Sequence, residues 1–266
     1  MDLAVYARIK EAIRTLLDIN LDHYKDEQMR RRLDSWLARS GSASWDDYFA
    51  RLKKEPAELT KFRDYLTINV TEFFRDFDRW KSVKESILPN LLKESLGMRA
   101  LGSGVRIWSA GCSIGAEPFS FAMLLDELAP QRKHYIWATD LDRGALAKAQ
   151  AGGPFTTEEM QNVTPKQKEA YFRPGGPPYF VNSNIVRKIT FKEHNLLSDP
   201  TETDFDMVVC RNVVIYFTTE TKDMLYRKFH AALRPGGIMF VGGTEIIPRP
   251  QEIGFRSTGF SFYVKV

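Results

Sequence analysis

The chain has 266 residues, 43% of them hydrophobic and 27% charged, with a formal net charge of +4. That length buries a sizeable core in one large domain or two modest ones, and the small basic excess falls short of the dense positive surface of a nucleic-acid binder. No segment approaches the ~18 uninterrupted apolar residues of a membrane span, so membrane insertion is not expected. The two cysteines, Cys112 and Cys210, form no C-x-x-C pair and no ligand cluster with the four scattered histidines, which argues against a disulfide framework and against a metal site.

The N-terminal stretch MDLAVYARIKEAIRTLLDIN lacks the apolar core and cleavage site of a secretory signal and reads as an amphipathic helix, so a cytoplasmic protein is expected. Through residue 80 apolar positions recur at helical spacing: Val5, Ile9, Ile13, Leu16 and Leu17, then Met29, Leu33, Trp36 and Leu37, then Tyr48, Phe49 and Leu52. Residues 1–80 are therefore expected to form a helical domain, with Ser44 in SGSASWDDYF an N-cap. From Val105 the pattern changes to short apolar runs that end in loops and precede helices: VRIWSAG, HYIWATDLD, FDMVVCRN and GIMFVGGTE. Such alternation predicts an α/β domain over 81–266 with a parallel sheet and right-handed crossovers. Two features interrupt it. Residues 153–193, rich in Gly and Pro and containing the β-like runs PYFVN and IVRKITF, read as a small antiparallel insertion. The C-terminal GFRSTGFSFYVKV reads as an antiparallel hairpin at a sheet edge.

Ligands of open α/β sheets bind outside the carboxyl ends of the strands, so the loops there are the candidate site. The first, Gly111 to Pro118, contains GCSIG, a G-x-S-x-G match that in a hydrolase would present Ser113 as a nucleophile. No HGGG-like segment precedes it, and His194 and His230 do not complete a Ser, acid, His order. Its small residues instead suit close approach of a ligand to backbone at a helix N-terminus, with Glu117 as an acceptor. It is not G-x-G-x-x-G, which weakens a dinucleotide reading. In ATDLD, Asp140 follows the glycines by about one βα unit, where an acid accepts ribose hydroxyls. Asn195 in EHNLL offers a donor and an acceptor to an adenine edge, and CRNVVIYF places Arg211, Asn212 and Tyr216 at the fourth strand end.

Taken together, INVTEFFRD (68–76), IWSAGCSIGAEPFSFAMLL (107–125), ATDLD (138–142), HNLL (194–197), FDMVVCRNVVIYF (205–217) and LRPGGIMFVGGTE (233–245) resemble the CheR-type chemotaxis receptor methyltransferases over nearly the whole chain. The resemblance implies a Rossmann-like S-adenosylmethionine (SAM)-dependent methyltransferase fold with an N-terminal helical domain and a small antiparallel β-subdomain insertion. It also implies methylation of glutamate side chains on the cytoplasmic helices of methyl-accepting chemotaxis receptors by a monomer, with S-adenosylhomocysteine as product. By similarity Asn69, Thr71 and Arg75 reach the cofactor, as do Gly111, Glu117 and Asp140. Asn195 and Leu196 lie beside the adenine, and Arg211 with Asn212 near the methionine end. Ala116 stands where family members often carry an acid or another polar residue.

A carboxylate acceptor is already ionised at neutral pH, so the reaction requires no strong base and no metal. Orientation then dominates, and Arg75 and Tyr216 are the expected positioning residues, through a guanidinium fork and a phenol donor. YKDEQMRRRLDSWLARS puts Lys25, Arg32 and Arg39 on one helical face with Arg31 nearby, a basic surface suited to an acidic receptor helix, although charge runs are usually only solvated. The short insertion points to recognition independent of a receptor tether peptide. An RNA or small-molecule methyltransferase would share the cofactor loops, and a non-catalytic cofactor sensor is the third reading; no platform of aromatic and basic residues for bases is evident.

Overall fold

Helical periodicity at the N-terminus becomes α1 (Leu3–Leu17), α2 (Asp26–Ser40), α3 (Trp45–Leu52) and α4 (Pro56–Leu66) in a computed structural model that describes residues 2–67, 70–98, 100 and 102–266. Helix α1 buries Tyr6, Ile9, Ile13 and Leu17 along one stripe, the three- and four-residue spacing that an amphipathic helix requires. Gly41 ends α2 with φ 72°, a left-handed C-cap open to glycine without a Cβ penalty. The Ser44 side chain accepts from Asp47 N at 3.2 Å, making it the N-cap of α3 that its sequence context predicts. Phe62 of α4 packs against Tyr48 and Trp36, with ring centroids 5.4 and 5.6 Å away.

The chain divides into two compact units, Met1–Ile68 with Val213–Met224, and Asn69–Asn212 with Leu225–Val266. Within the first, the returning segment pairs with the α1–α2 connection: Lys25 N donates to Tyr216 O and Thr218 N to His23 O, both at 2.9 Å.

The second unit is built on β1 (Ser103–Ala110), β2 (Lys133–Asp140), β3 (Ile189–Glu193), β4 (Phe205–Cys210), β5 (Leu233–Val241), β6 (Phe255–Gly259) and β7 (Phe262–Lys265). Their order is β3-β2-β1-β4-β5-β7-β6. Strands β3 to β5 pair in parallel, whereas β7 is antiparallel to both β5 and β6, the edge hairpin the C-terminal alternation predicts. Helices α5 (Phe77–Ser82) and α6 (Leu88–Met98), joined by a π-turn, lead into β1. Four of the remaining helices are α7 (Ala116–Leu128), α8 (Arg143–Ala151), α9 (Pro165–Tyr171) and α10 (Ser183–Val186), and α11 (Thr219–Ala232) begins in the first unit and joins the second from Leu225. Alternate β1 residues serve opposite layers. Ile107 joins the core with Phe119 and Phe121 of α7, while Trp108 packs tilted against Trp137 at 5.0 Å and donates Nε1–H to Thr139 Oγ1 at 2.9 Å. Strand order reverses between β1 and β4, so the crevice lies at their carboxyl ends.

The insertion after α8 is held by antiparallel bridges Phe155↔Tyr179 and Phe172↔Val181. The run IVRKITF behaves differently from its reading as part of that antiparallel unit. Its first residues enter α10, and Ile189 onward forms β3, a parallel edge of the main sheet, because its alternating apolar residues find a partner in β2.

A buried ion pair ties the amino-terminal ends of the sheet. Arg234 Nε donates to Asp206 Oδ1 at 2.6 Å and its Nη2 to Glu94 Oε2 at 2.7 Å, while Asp206 Oδ2 accepts from Arg106 N at 2.7 Å. Removing one partner of such a pair strands the other charge. Asp206→Ala is expected to cost about 3–5 kcal/mol in urea denaturation; a loss below about 1 kcal/mol would show that Arg234 finds water instead.

Candidate functional site

Strand β1 ends at Ala110, and the chain turns through Gly111 (φ 86°), Ser113 (φ 49°) and Gly115 (φ 91°) into α7. A Cβ at Gly115 would lie 2.9 Å from both Ala149 Cβ and the Phe119 ring, so the loop is glycine-rich where it must pack closely. Gly111 N donates to Thr139 O at 2.8 Å and Ser113 N to Asp140 Oδ2 at 2.7 Å, which fastens this loop to the end of β2. Asp140 Oδ1 accepts from Asp142 N at 2.9 Å. Each Asp140 oxygen thus takes a backbone N–H and retains a lone pair for a hydroxyl. Burial pushes this carboxyl up, against the Asp142 and Ser113 N–H groups that lower it.

Glu117, in the first turn of α7, accepts from Ser109 Oγ at 2.7 Å and from Arg211 Nη1 at 3.4 Å. Burial raises its carboxyl, opposed by Arg211 and Ser109. The Arg211 side chain is only 3% exposed. Its Nη2 donates to Arg75 O and to Asp76 Oδ2, both at 2.7 Å, and its guanidinium lies 4.7 Å from the Phe240 ring centroid. Arg75 O also accepts from Trp80 Nε1 at 2.9 Å, and Phe74 N donates to Ser120 Oγ at 3.1 Å. Phe74 and Asp76 adopt left-handed backbone conformations, φ 53° and 60°, a strain that persists only where surrounding bonds over-determine it. Asn212, itself at φ 59°, donates its N–H to Glu245 Oε2 at 3.0 Å, and Gly242 N donates to the same oxygen at 2.6 Å.

The β3 loop joins this frame through His194 N, which donates to Asp140 O at 2.9 Å. Asn195 Oδ1 is used inside the loop, accepting from Leu197 N at 3.0 Å. The amide keeps its Nδ2 donor and a second Oδ1 lone pair. Leu196 is buried. Lys228 of α11 fastens the loop, its Nζ donating to Leu196 O at 2.7 Å and Asp199 O at 2.6 Å.

Three of the histidines that could serve a serine nucleophile as base are hydrogen-bonded to other residues. His23 bonds Thr221 Oγ1, His134 the Ala129 carbonyl and His194 the Pro200 carbonyl, while His230 packs edge-on against Phe255 at 5.0 Å. Both cysteines are buried, which pushes their thiols up and leaves them protonated.

Gly111, Glu117, Asp140, Asn195, Leu196, Arg211, Asn212 and the Arg75 backbone share one frame at the strand ends. The half-buried Arg75 side chain donates from Nη1 to Val70 O at 2.8 Å, and Thr71 is half-buried nearby in sequence. Asn69 lies outside the described residues. Tyr216, half-buried at the end of a 3₁₀ turn, belongs to the first unit, as do Lys25, Arg31, Arg32 and Arg39. Lys25 and Arg39 are exposed. Arg31 pairs with Glu27, and Arg32 donates to Tyr65 O with its guanidinium 4.3 Å from the Tyr65 ring centroid. Sequence reasoning passed over Asp76, Glu245, Ser109 and Lys228. Asp76 and Glu245 stand inside quoted motifs, but only folding distinguishes an acid that binds Arg211 or a turn amide from a solvated one.

Residues 4–67 match the all-alpha domain of CheR methyltransferases, and residues 69–263 match their SAM-binding domain. The chain belongs to the CheR methyltransferase family. It is 36% identical over 260 residues to a chemotaxis protein methyltransferase of Listeria monocytogenes, spanning 98% of this chain and 97% of the relative. Similar enzymes in Pseudomonas aeruginosa and Klebsiella aerogenes are 33% and 32% identical, over 86% and 91% of this chain and 85% and 83% of theirs. This CheR-family chain is a SAM-dependent methyltransferase of chemotaxis. Among the described residues no helix is long and apolar enough to cross a membrane.

The residues present fit SAM. Asp140 would offer lone pairs to a ribose diol, Glu117 and Asp76 would supply negative charge to a sulfonium and an ammonium, and Arg211 Nε is a buried donor without a hydrogen-bond partner. Because burial raises Asp140 and Glu117 in the free protein, a cationic ligand that favours their anions must displace protons on the acid side of those raised values. SAM affinity is therefore expected to strengthen with rising pH on the acid side and then to level off. Calorimetry in buffers of different ionisation enthalpy should read proton release on the acid side; an affinity flat with pH, without proton release, would contradict it.

Proposed function

We propose that the protein transfers the methyl group of SAM to glutamate side-chain carboxylates on the cytoplasmic helices of chemoreceptors, forming glutamyl methyl esters. The observation that carries this reading is a strand-end frame whose side-chain bonds come from carboxylates and a guanidinium, those of Asp140, Glu117, Asp76 and Arg211. A glutamate carboxylate, with a reference pKa of about 4.3, is deprotonated at neutral pH and requires no histidine base. When bound, SAM supplies the methyl group and leaves as S-adenosylhomocysteine.

The chain's own residues bind and orient. Gly111 lets the cofactor approach backbone, Asp140 accepts the ribose hydroxyls, and Asn195 with Leu196 borders the adenine. Glu117, Arg211 and Asn212, with Thr71, Arg75 and Asn69, hold the methionine end. Arg75 and Tyr216 align the acceptor carboxylate by donating hydrogen bonds, and such alignment is worth up to about 7–11 kcal/mol in well-oriented reactions. Arg75 has donors to spare beyond its bond to Val70 O. Full neutralisation of the acceptor would blunt it as a nucleophile, and the second acid partnership that Asp76 and Glu117 provide for Arg211 keeps that guanidinium from doing so.

Receptor docking uses the exposed cations of the α2 region. Lys25 and Arg39 face solvent, whereas Arg32 is anchored on Tyr65 and Arg31 is paired with Glu27. The docking role accordingly rests on Lys25 and Arg39, and Arg32 contributes by fixing the helix on α4. The experiment is transfer of labelled methyl from SAM to a receptor cytoplasmic fragment, followed by mild base. Volatile methanol that disappears when the receptor glutamates are replaced by alanine is the expected result, with turnover lowered in Tyr216→Phe. Label that resists base, or that persists without the glutamates, would move the acceptor to another class. In the same assay Lys25→Glu with Arg39→Glu should raise KM for the fragment about tenfold at low salt while leaving SAM affinity unchanged; an unchanged KM would exclude this face.

A further inference from the structure

Exposed apolar side chains are ordinary when scattered, and informative when they gather beside a reacting centre. In the sheet unit three large ones stand on three different segments that frame the Arg211 site. Phe77 (54% exposed) follows Asp76, the acid bound to Arg211; Ile246 (76%) follows Glu245, which accepts from Asn212 N; and Phe260 (82%) precedes Ser261, whose carbonyl accepts from Val241 N at 2.9 Å. The segments touch one another. A Cβ on Gly243 would lie 3.3 Å from the Asp76 carboxylate, and the Arg79 guanidinium sits 5.3 Å from the Phe260 ring centroid. Asp76 and Ser261 both hold left-handed backbone, φ 60° and 72°, so a strained residue stands next to Phe77 and another next to Phe260.

We infer that Phe77, Ile246 and Phe260 form an apolar seat, rimmed by Arg79, for the hydrophobic stripe of the acceptor helix whose glutamate is methylated; the inference rests on the receptor reading above. The occupant follows from continuity with the site. The three segments are bonded to the Arg211 frame or packed on one another, so a helix that brings a carboxylate to that frame lies beside them. An amphipathic helix that carries glutamates on one face has apolar residues at neighbouring three- and four-residue spacings to lay against them. Arg79 beside Phe260 adds a cation complementary to the acidic residues of such a helix. Aromatic and branched anchors in a contact of this kind carry most of its binding energy. The seat therefore sets which glutamates are modified, through the register of apolar residues around them.

The test is the KM for a receptor cytoplasmic fragment in the double variant Ile246→Ser, Phe260→Ser, measured beside SAM affinity. A rise of about tenfold or more with SAM affinity and kcat unchanged is expected, with recovery in Ile246→Val, Phe260→Leu. Leu96→Ser, at an exposed apolar position on α6 (56%), should leave KM unchanged. A KM equal to wild type in the double variant, or an equal rise in Leu96→Ser, would overturn the seat while leaving the receptor reading intact. Failure of the wild-type protein to methylate the fragment would remove both. Should the double variant lose SAM binding, Ile246→Gln alone carries the same comparison.

Discussion

A guanidinium removed from water must find acceptors for its N–H groups, and Arg211 finds them on segments distant in sequence. The carbonyl of Arg75, the carboxylate of Asp76 and the carboxylate of Glu117 converge on it from the turn before α5 and from the first turn of α7. An unmet demand of this kind costs several kcal/mol, since a buried charge without partners is among the most destabilising features a fold can carry. The left-handed residues Phe74 and Asp76 are tolerated because that demand is met only when the turn takes this shape. Around it the Glu245 carboxylate gathers the amides of Gly242 and Asn212, so the crevice floor is ordered before any ligand arrives.

The same arrangement explains why the site suits a cationic cofactor. Asp140 and Glu117 sit where burial penalises their charged forms. Backbone N–H groups, Ser109 and Arg211 keep that penalty bounded. Acceptors held in this way would meet a sulfonium and a ribose diol with little reorganisation. Lys228 extends this ordering to the loop of Asn195 and Leu196 by bonding two of its carbonyls, so each of the loops that border the crevice is fixed by a polar contact from another element.

The strands and their loops were legible in the sequence because each carries its own signal. VRIWSAG, HYIWATDLD and FDMVVCRN are short apolar runs ending in small or acidic residues, and they become β1, β2 and β4. Ser44 was legible as a cap because capping is a local hydrogen bond. IVRKITF was not legible as a sheet strand, since a seven-residue run pairs equally well within an insertion or with β2, and only the partner's position decides. Arg32 read as a docking cation from its helical face, yet its guanidinium lies on Tyr65 of another helix, a packing contact absent from any local pattern. GCSIG matched a nucleophile elbow, and only the motifs around it separate that from a cofactor turn.

Local pattern determined the class of fold, the order of its elements, the loops that carry function and, through the combination of motifs, the family. Periodicity, capping and turn chemistry act over a few residues, so a single chain displays them directly. Tertiary structure decided which charges meet: that Arg211 closes on Asp76 and Glu117, that Glu245 serves Asn212, and that Lys228 holds the loop of Asn195 and Leu196. Those pairings join residues up to 135 positions apart, and the energy that selects them comes from desolvation, which exists only once the chain has closed around them.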